Sequence, residues 1–183
     1  TINRGGSLFI PSFSVERAQL MMLIFWKLLK ENKIPKVQMI MDSPMGANVL
    51  ELFHRTRDWH RLEDNECDEM CSHFTLVSSY RETMELRTDN RPKIVIAGSG
   101  MLTGGRMLNY LETQAQNPNN TLLFVGYQAE GTRGRKLLEG EKELKVYGKW
   151  VPFKMQVAEI EGLSAHADHA ELMDWLSKIK IQP

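Results

Sequence analysis

Lys93-Ile94-Val95-Ile96-Ala97-Gly98-Ser99-Gly100-Met101-Leu102-Thr103-Gly104-Gly105-Arg106 joins a strand-like segment to a run of glycines. A nearly continuous apolar run leads into a glycine-rich loop and then into helical spacing over 106–114. A strand that is apolar on both of its sides belongs in a sheet covered on both faces, as parallel sheets are.

The same strand–loop–helix order recurs on either side without any repeat of sequence. Upstream, an apolar strand over 7–10 meets the turn Pro11-Ser12-Phe13-Ser14 and helical spacing over 15–30. A second strand over 37–41 is followed by the loop Asp42-Ser43-Pro44-Met45-Gly46 and a helix over 47–54. Downstream, a strand over 121–125 precedes another glycine-rich loop over 126–134, and a helix opens at Arg135. Alternation of this kind predicts an α/β fold: a parallel sheet in three layers, Rossmann-like. Loops leaving the C-termini of parallel strands gather along one edge, where ligands bind. Ser12, Asp42, Ser99, Thr103, Arg106, Gln128 and Arg133 are therefore expected on one rim.

Beyond Gly140 the pattern changes. Alternating residues over 145–150 and 153–160 predict a hairpin turning near Val151-Pro152. A helix is expected over 167–180, with Leu172, Trp175, Leu176 and Ile179 as its apolar stripe. Asp168 suits the positive end of its dipole.

Composition narrows the class. The 183 residues are 42% hydrophobic and 25% charged with formal net charge zero, which excludes wholesale disorder and polyanion binding by bulk charge alone. Charge is nevertheless uneven, with seven basic residues against three acidic ones over 131–154 and an acidic stretch over 63–69. No apolar run approaches the roughly 20 residues that cross a bilayer. The run over 20–29 is interrupted by Lys27 and reads as a buried helix, so no membrane partner is expected. No signal peptide is visible, and a cytoplasmic location is expected. Cys67 and Cys71 fall on one helix face as reduced thiols. A zinc site from Cys67, Cys71 and His73 lacks a fourth ligand, and no metal ligand is expected in this chain. The chain opens on Thr1 directly before a strand and stops where another strand is due, so both ends read as cut from a larger protein.

The glycine loops carry the chemistry. Glycines let backbone N–H groups close on an anion, and a following helix N-terminus adds positive potential. The 98–106 loop fails the dinucleotide fingerprint, with Thr103 at its third glycine position. It also fails the Walker pattern, with Arg106 and Met107 where Lys and Ser/Thr belong. Two neighbouring cradles with arginines suit a polymer backbone better than a single nucleotide. Ser164-Ala165-His166-Ala167-Asp168-His169 is close to a His-x-His-x-Asp-His zinc motif, but Ser164 stands where the first histidine would be. That leaves His166 as a zinc ligand, a capping or packing residue, or a histidine acting on phosphate.

Five blocks in order resemble the β-CASP family of metallo-β-lactamase-fold RNA-processing nucleases, especially the prokaryotic hydrolases with an RNA specificity domain. They are Ile10-Pro11-Ser12-Phe13-Ser14-Val15-Glu16-Arg17-Ala18-Gln19, Asp42-Ser43-Pro44-Met45, Ser99-Gly100-Met101, Gly126-Tyr127-Gln128-Ala129-Glu130-Gly131-Thr132 and Ser164-Ala165-His166-Ala167-Asp168. The resemblance implies the end of a metallo-β-lactamase segment over 1–12 and a β-CASP domain over 13–160. The start of a truncated C-terminal RNA-specificity and metallo-β-lactamase segment would follow over 161–183. It implies a zinc-dependent ribonuclease whose two zinc ions lie in the longer protein, with this fragment alone inactive. His166 would act on the scissile phosphate or leaving group. Phosphate contacts are expected from Ser12, Arg17, Asp42, Ser43, Ser99, Gly100, Met101, Thr103, Gly104, Arg106, Gly126, Gln128, Gly131, Thr132, Arg133 and Ser164. Single-stranded RNA and the metallo-β-lactamase half of the same protein are the implied partners, with room for a homodimer. A catalytically inactive RNA-binding relative is the competing reading; a nucleotide-binding α/β enzyme is disfavoured by both failed fingerprints.

Overall fold

A computed structural model describes residues 1–63, 65–163 and 166–179 of the chain. In chain order its elements are β1 (Leu8–Pro11), α1 (Arg17–Lys30), β2 (Gln38–Asp42), α2 (Pro44–Arg55), α3 (Glu66–Ser72), β3 (Phe74–Val77) and α4 (Tyr80–Leu86). There follow β4 (Lys93–Ala97), α5 (Met107–Gln114), β5 (Thr121–Phe124), α6 (Arg133–Leu138), β6 (Glu143–Val146), β7 (Lys149–Pro152), β8 (Gln156–Glu159) and α7 (His169–Ser177). Six strands form one parallel sheet in the order β3-β2-β4-β1-β5-β8, and β6 pairs with β7 alone.

Continuous burial of β4 confirms the reading of its apolar run: all five residues, Lys93 included, are buried. Lys93 keeps its charge solvated by sending Nζ back to the carbonyl oxygens of Asp89 and Arg91. Strand side chains alternate between two cores. Phe9, Val95 and Leu122 join α5, α6 and the β6–β7 hairpin on one face. Ile10, Ile94 and Ile96 join α1, α2 and α3 on the other. On α1, Met22, Phe25 and Trp26 follow helical spacing into this second core, each burial contributing about 1.5–3 kcal/mol.

These two cores define the three layers and locate the point where the chain changes face. β1 lies at the middle of the sheet, between β4 and β5. β1 and β4 are neighbours, yet α1 after β1 packs on one face and α5 after β4 on the other. A crevice opens between loops that diverge in this way, and it is the standard ligand position in open parallel sheets.

The C-terminal part departs from the sequence expectation. The hairpin turns at Tyr147-Gly148 rather than near Val151-Pro152, because both residues hold positive φ (48° and 81°), as a tight two-residue turn demands. Residues 156–159, expected as its second arm, instead pair in parallel with β5 as an edge strand. The α7 helix begins at His169, and Asp168 is its N-cap in a reciprocal capping box with Glu171. Its expected stripe of Leu172, Trp175, Leu176 and Ile179 is exposed in the described structure. Among the described residues no helix is long and apolar enough to cross a membrane.

Candidate nucleic-acid interface

At the crevice the β1 loop and the β4 loop run side by side. Ser12 N–H donates to Ala97 O at 3.0 Å, extending the ladder one step past the strands. Beyond it Phe13 crosses to the glycine loop, where a Cβ on Gly100 would meet the Phe13 ring at 3.2 Å. Gly105 is needed for the return: its φ is +73°, and a Cβ there would sit 2.5 Å from the Gly98 carbonyl. Ser99 Oγ closes the loop on itself through Gly104 N–H and Gly104 O, both at 3.2 Å. Two non-glycine residues here also hold left-handed backbone, Glu16 (φ 67°) and the fully buried Leu102 (φ 58°). Strain on the order of 1–3 kcal/mol per residue is characteristic of functional loops.

Gln128 ties the two glycine loops together. Its buried Nε2 donates to Gly100 O (3.0 Å), Gly126 O (2.9 Å) and Tyr127 O (3.2 Å). Thr132 caps α6 by accepting from Arg135 N–H at 3.2 Å, and Gly131 (φ +77°) makes the turn before it. On the other side of the crevice Ser43 caps α2, accepting from Gly46 N–H, and donates to Ser14 Oγ at 2.9 Å. The sequence-predicted residues from Ser12 to Gln128 are thus brought to one rim.

Their roles divide in a way the sequence does not reveal. Asp42 is fully buried, and Arg106 Nη1 donates to its Oδ1 at 2.9 Å while Tyr110 OH donates to its Oδ2 at 2.7 Å. Burial first, then the Asp42 carboxylate, pushes the Tyr110 phenol well above its usual range. Arg106 directs its other hydrogen bonds to Ser79 O, Thr83 Oγ1 and Ser78 O. Arg133 is engaged likewise, by Lys145 O, Leu102 O and Thr103 O. Asp42, Arg106 and Arg133, all expected to meet phosphate, make these hydrogen bonds within the protein. Arg17 differs, since among the described residues its buried Nη1 has no hydrogen-bond partner.

Several rim residues escape a reading of the sequence. Phe13, Tyr80, Tyr127 and Tyr147 are between 54% and 71% exposed, leaving faces on which bases can stack. Tyr80 OH and Tyr147 OH both donate to Asn109 Oδ1, at 3.1 and 3.0 Å, joining α4, α5 and the basic hairpin. His166 is exposed just before α7, and Ser164 lies outside the described residues. A wide surface cleft lined by Thr75, Glu82, Glu85, Asp89 and Arg91 lies along β3 and α4, away from these loops.

Sheet order and diverging helices define a doubly wound α/β domain with a glycine-looped, aromatic rim. The match to known proteins agrees. Residues 18–137 match the Beta-Casp domain, and residues 150–183 match the Zn-dependent metallo-hydrolase RNA specificity domain. The chain belongs to the β-CASP family of RNA nucleases. It is 33% identical over 188 residues to Ribonuclease TTHA0252 of Thermus thermophilus, covering 96% of this chain and 42% of that protein. It is 31% identical over 194 residues to Transcription termination factor FttA of Methanosarcina mazei, covering 100% of this chain and 30% of that protein. An RNase J-like protein of Methanocaldococcus jannaschii is 32% identical over 180 residues, covering 98% of this chain and 42% of its own length. The chain spans less than half the length of these relatives.

Proposed function

We propose that this chain is the RNA-gripping part of a zinc-dependent nuclease that cleaves phosphodiester bonds in RNA. The observation that carries the reading is the crevice between β1 and β4, where Gln128 links two glycine loops and the exposed Phe13 ring lies beside Gly100. Loop N–H groups and Arg17 take phosphates, and Phe13, Tyr80 and Tyr127 take bases without reading their identity. His166 acts on the scissile phosphate or the leaving oxygen, a role open to an imidazole that can donate or accept a proton.

The described rim residues do not fit a pair of zinc ions. Asp42 is held by Arg106 and Tyr110, and Asp168 accepts the capping bond from Glu171 N–H at 2.8 Å. The ions would be held by the metallo-β-lactamase half of the full-length protein, and the exposed stripe of α7 is the surface that half would cover.

His166→Ala in the full-length protein should lower turnover by roughly 10²–10⁴-fold while zinc content and RNA affinity stay unchanged. Full activity in the variant would end the catalytic assignment, and loss of zinc would make His166 a ligand. RNA binding without cleavage by the unaltered full-length protein would favour a non-catalytic role for the whole family member.

A further inference from the structure

On the α1–α2–α3 face, three soft or borderline donors converge from two helices separated in sequence. His54 Nε2, near the end of α2, lies 3.8 Å from Cys67 Sγ and 3.9 Å from Cys71 Sγ, both on α3. All three donor atoms lie within 4.8 Å of one another. Sequence proximity matches the cysteines to His73, but His73 Nδ1 instead bonds Glu69 O at 2.8 Å. Only the packing of α2 on α3 shows that His54 is the third donor.

We propose that His54, Cys67 and Cys71 form a metal site for a single thiophilic divalent cation, zinc foremost. The edge between N and S in a tetrahedral zinc site is about 3.6 Å, from Zn–N of about 2.0–2.1 Å and Zn–S of about 2.3 Å. The observed separations exceed that by only a few tenths of an ångström, so small rotamer adjustments close the cage. The imidazole of His54 is already oriented to ligate, because its Nδ1 is 3.1 Å from Asp68 Oδ1, which leaves Nε2 aimed at the sulfurs. A carboxylate on the far nitrogen of a ligating histidine fixes the ring and raises its basicity. Cys67 is buried in the core and Cys71 partly so, which shields the sulfur side. The His54 side chain is 32% exposed, so the fourth position faces solvent and takes water.

Other nearby donors are engaged elsewhere. His60 uses Nε2 on Phe53 O and Nδ1 on Leu62 N–H. Glu66 Oε2 accepts from Glu63 N–H. Two thiolates with one imidazole select zinc-like cations over magnesium or calcium, which prefer all-oxygen cages. The site clamps the end of α2 to α3 across the intervening loop. It is independent of the RNA-binding rim and of any zinc used in catalysis.

The test uses this chain, purified with reduced thiols, stripped with chelator and titrated with cobalt(II) and zinc(II) chloride. One cobalt per chain is expected, with the intense visible bands of tetrahedral cobalt and a thiolate-to-metal charge-transfer band, both abolished by one equivalent of zinc. His54→Gln and Cys71→Ser should lose these bands. Asp68→Asn should keep them with 10–100-fold weaker affinity, the usual effect of removing such a partner. Circular dichroism of each metal-free variant shows whether it folds, and Cys71, the more exposed cysteine, keeps the test open if Cys67→Ser does not. Octahedral cobalt spectra, no stoichiometric uptake, a Cys67–Cys71 disulfide in place of metal, or wild-type affinity in folded His54→Gln would each overturn the proposal.

Discussion

Arg106 Nη1 sits 2.9 Å from Asp42 Oδ1, a buried ion pair at the centre of the rim. Asp42 has no exposed surface and Arg106 little, so their attraction acts in a poorly screened setting. Removing one member strands the other. Asp42→Ala should cost about 3–5 kcal/mol in urea unfolding, whereas Tyr110→Phe, losing one hydrogen bond to the same charged carboxylate, should cost about 1.5–3 kcal/mol. Equal losses would show that the ion pair carries no special weight.

RNA affinity should rest on Arg17 rather than Arg106. Arg17→Ala is expected to weaken binding of a single-stranded oligonucleotide and to reduce the slope of log affinity against log salt by about one contact's worth. Tyr127→Ala should weaken binding by about 1–3 kcal/mol with no change in that slope. Fluorescence anisotropy at several salt concentrations separates the two, and an unchanged slope in Arg17→Ala would remove it from the phosphate path.

Gly134 is required by Gln128. A Cβ at Gly134 would lie 1.8 Å from Gln128 Oε1, so Gly134→Ala must expel the side chain that joins the two glycine loops. Overpacking of this kind costs about 1–3 kcal/mol. Gln128→Ala should restore much of that loss when combined with Gly134→Ala, a coupling that thermal melts of the double-mutant cycle would reveal.

Acid stability should depend on Asp89. Side-chain and backbone hydrogen bonds from Arg91 hold its carboxyl well below the ordinary carboxylate range. A depressed folded value stabilises the native state fully above the unfolded value of about 3.9, and that contribution is lost as pH falls toward the folded one. Asp89→Asn should therefore narrow the stability difference between neutral and acid pH. Arg91 is mostly exposed, so the change is expected to be small and to shrink further in salt. Identical pH profiles for variant and parent would count against it.

The strands β1, β2, β4 and β5 are legible because each is apolar throughout and followed by a turn-rich loop. Of the trio α3, β3 and α4, only the helical spacing of Cys67 and Cys71 in α3 can be read. Each spans only four to seven residues, too short for periodicity to show, and β3 leaves Thr75 and Leu76 exposed at the sheet edge. One local signal is present: Ser79 followed by Glu82 is a capping box that starts α4. At the rim, motif and order locate the loops. No motif says that Arg106 turns inward to a carboxylate 64 positions earlier, or that His54 meets cysteines 13 and 17 positions later, because packing alone decides both.

The divergence of α1 and α5 from adjacent strands means that the crevice is a seam between two separately packed halves. Ser14, Ser43 and Gln19 knit one bank, through bonds that include Gln19 Nε2 to Ser14 O and Gly46 O, while Gln128 knits the other. On the proposed reading, a strand of RNA lying along the seam would lean on both banks at once. It would act as a splint, and local opening of either half would first have to break its contacts with that strand. Occupancy should therefore appear as slowed amide exchange at residues remote from any nucleotide, in β1 and β4 alike.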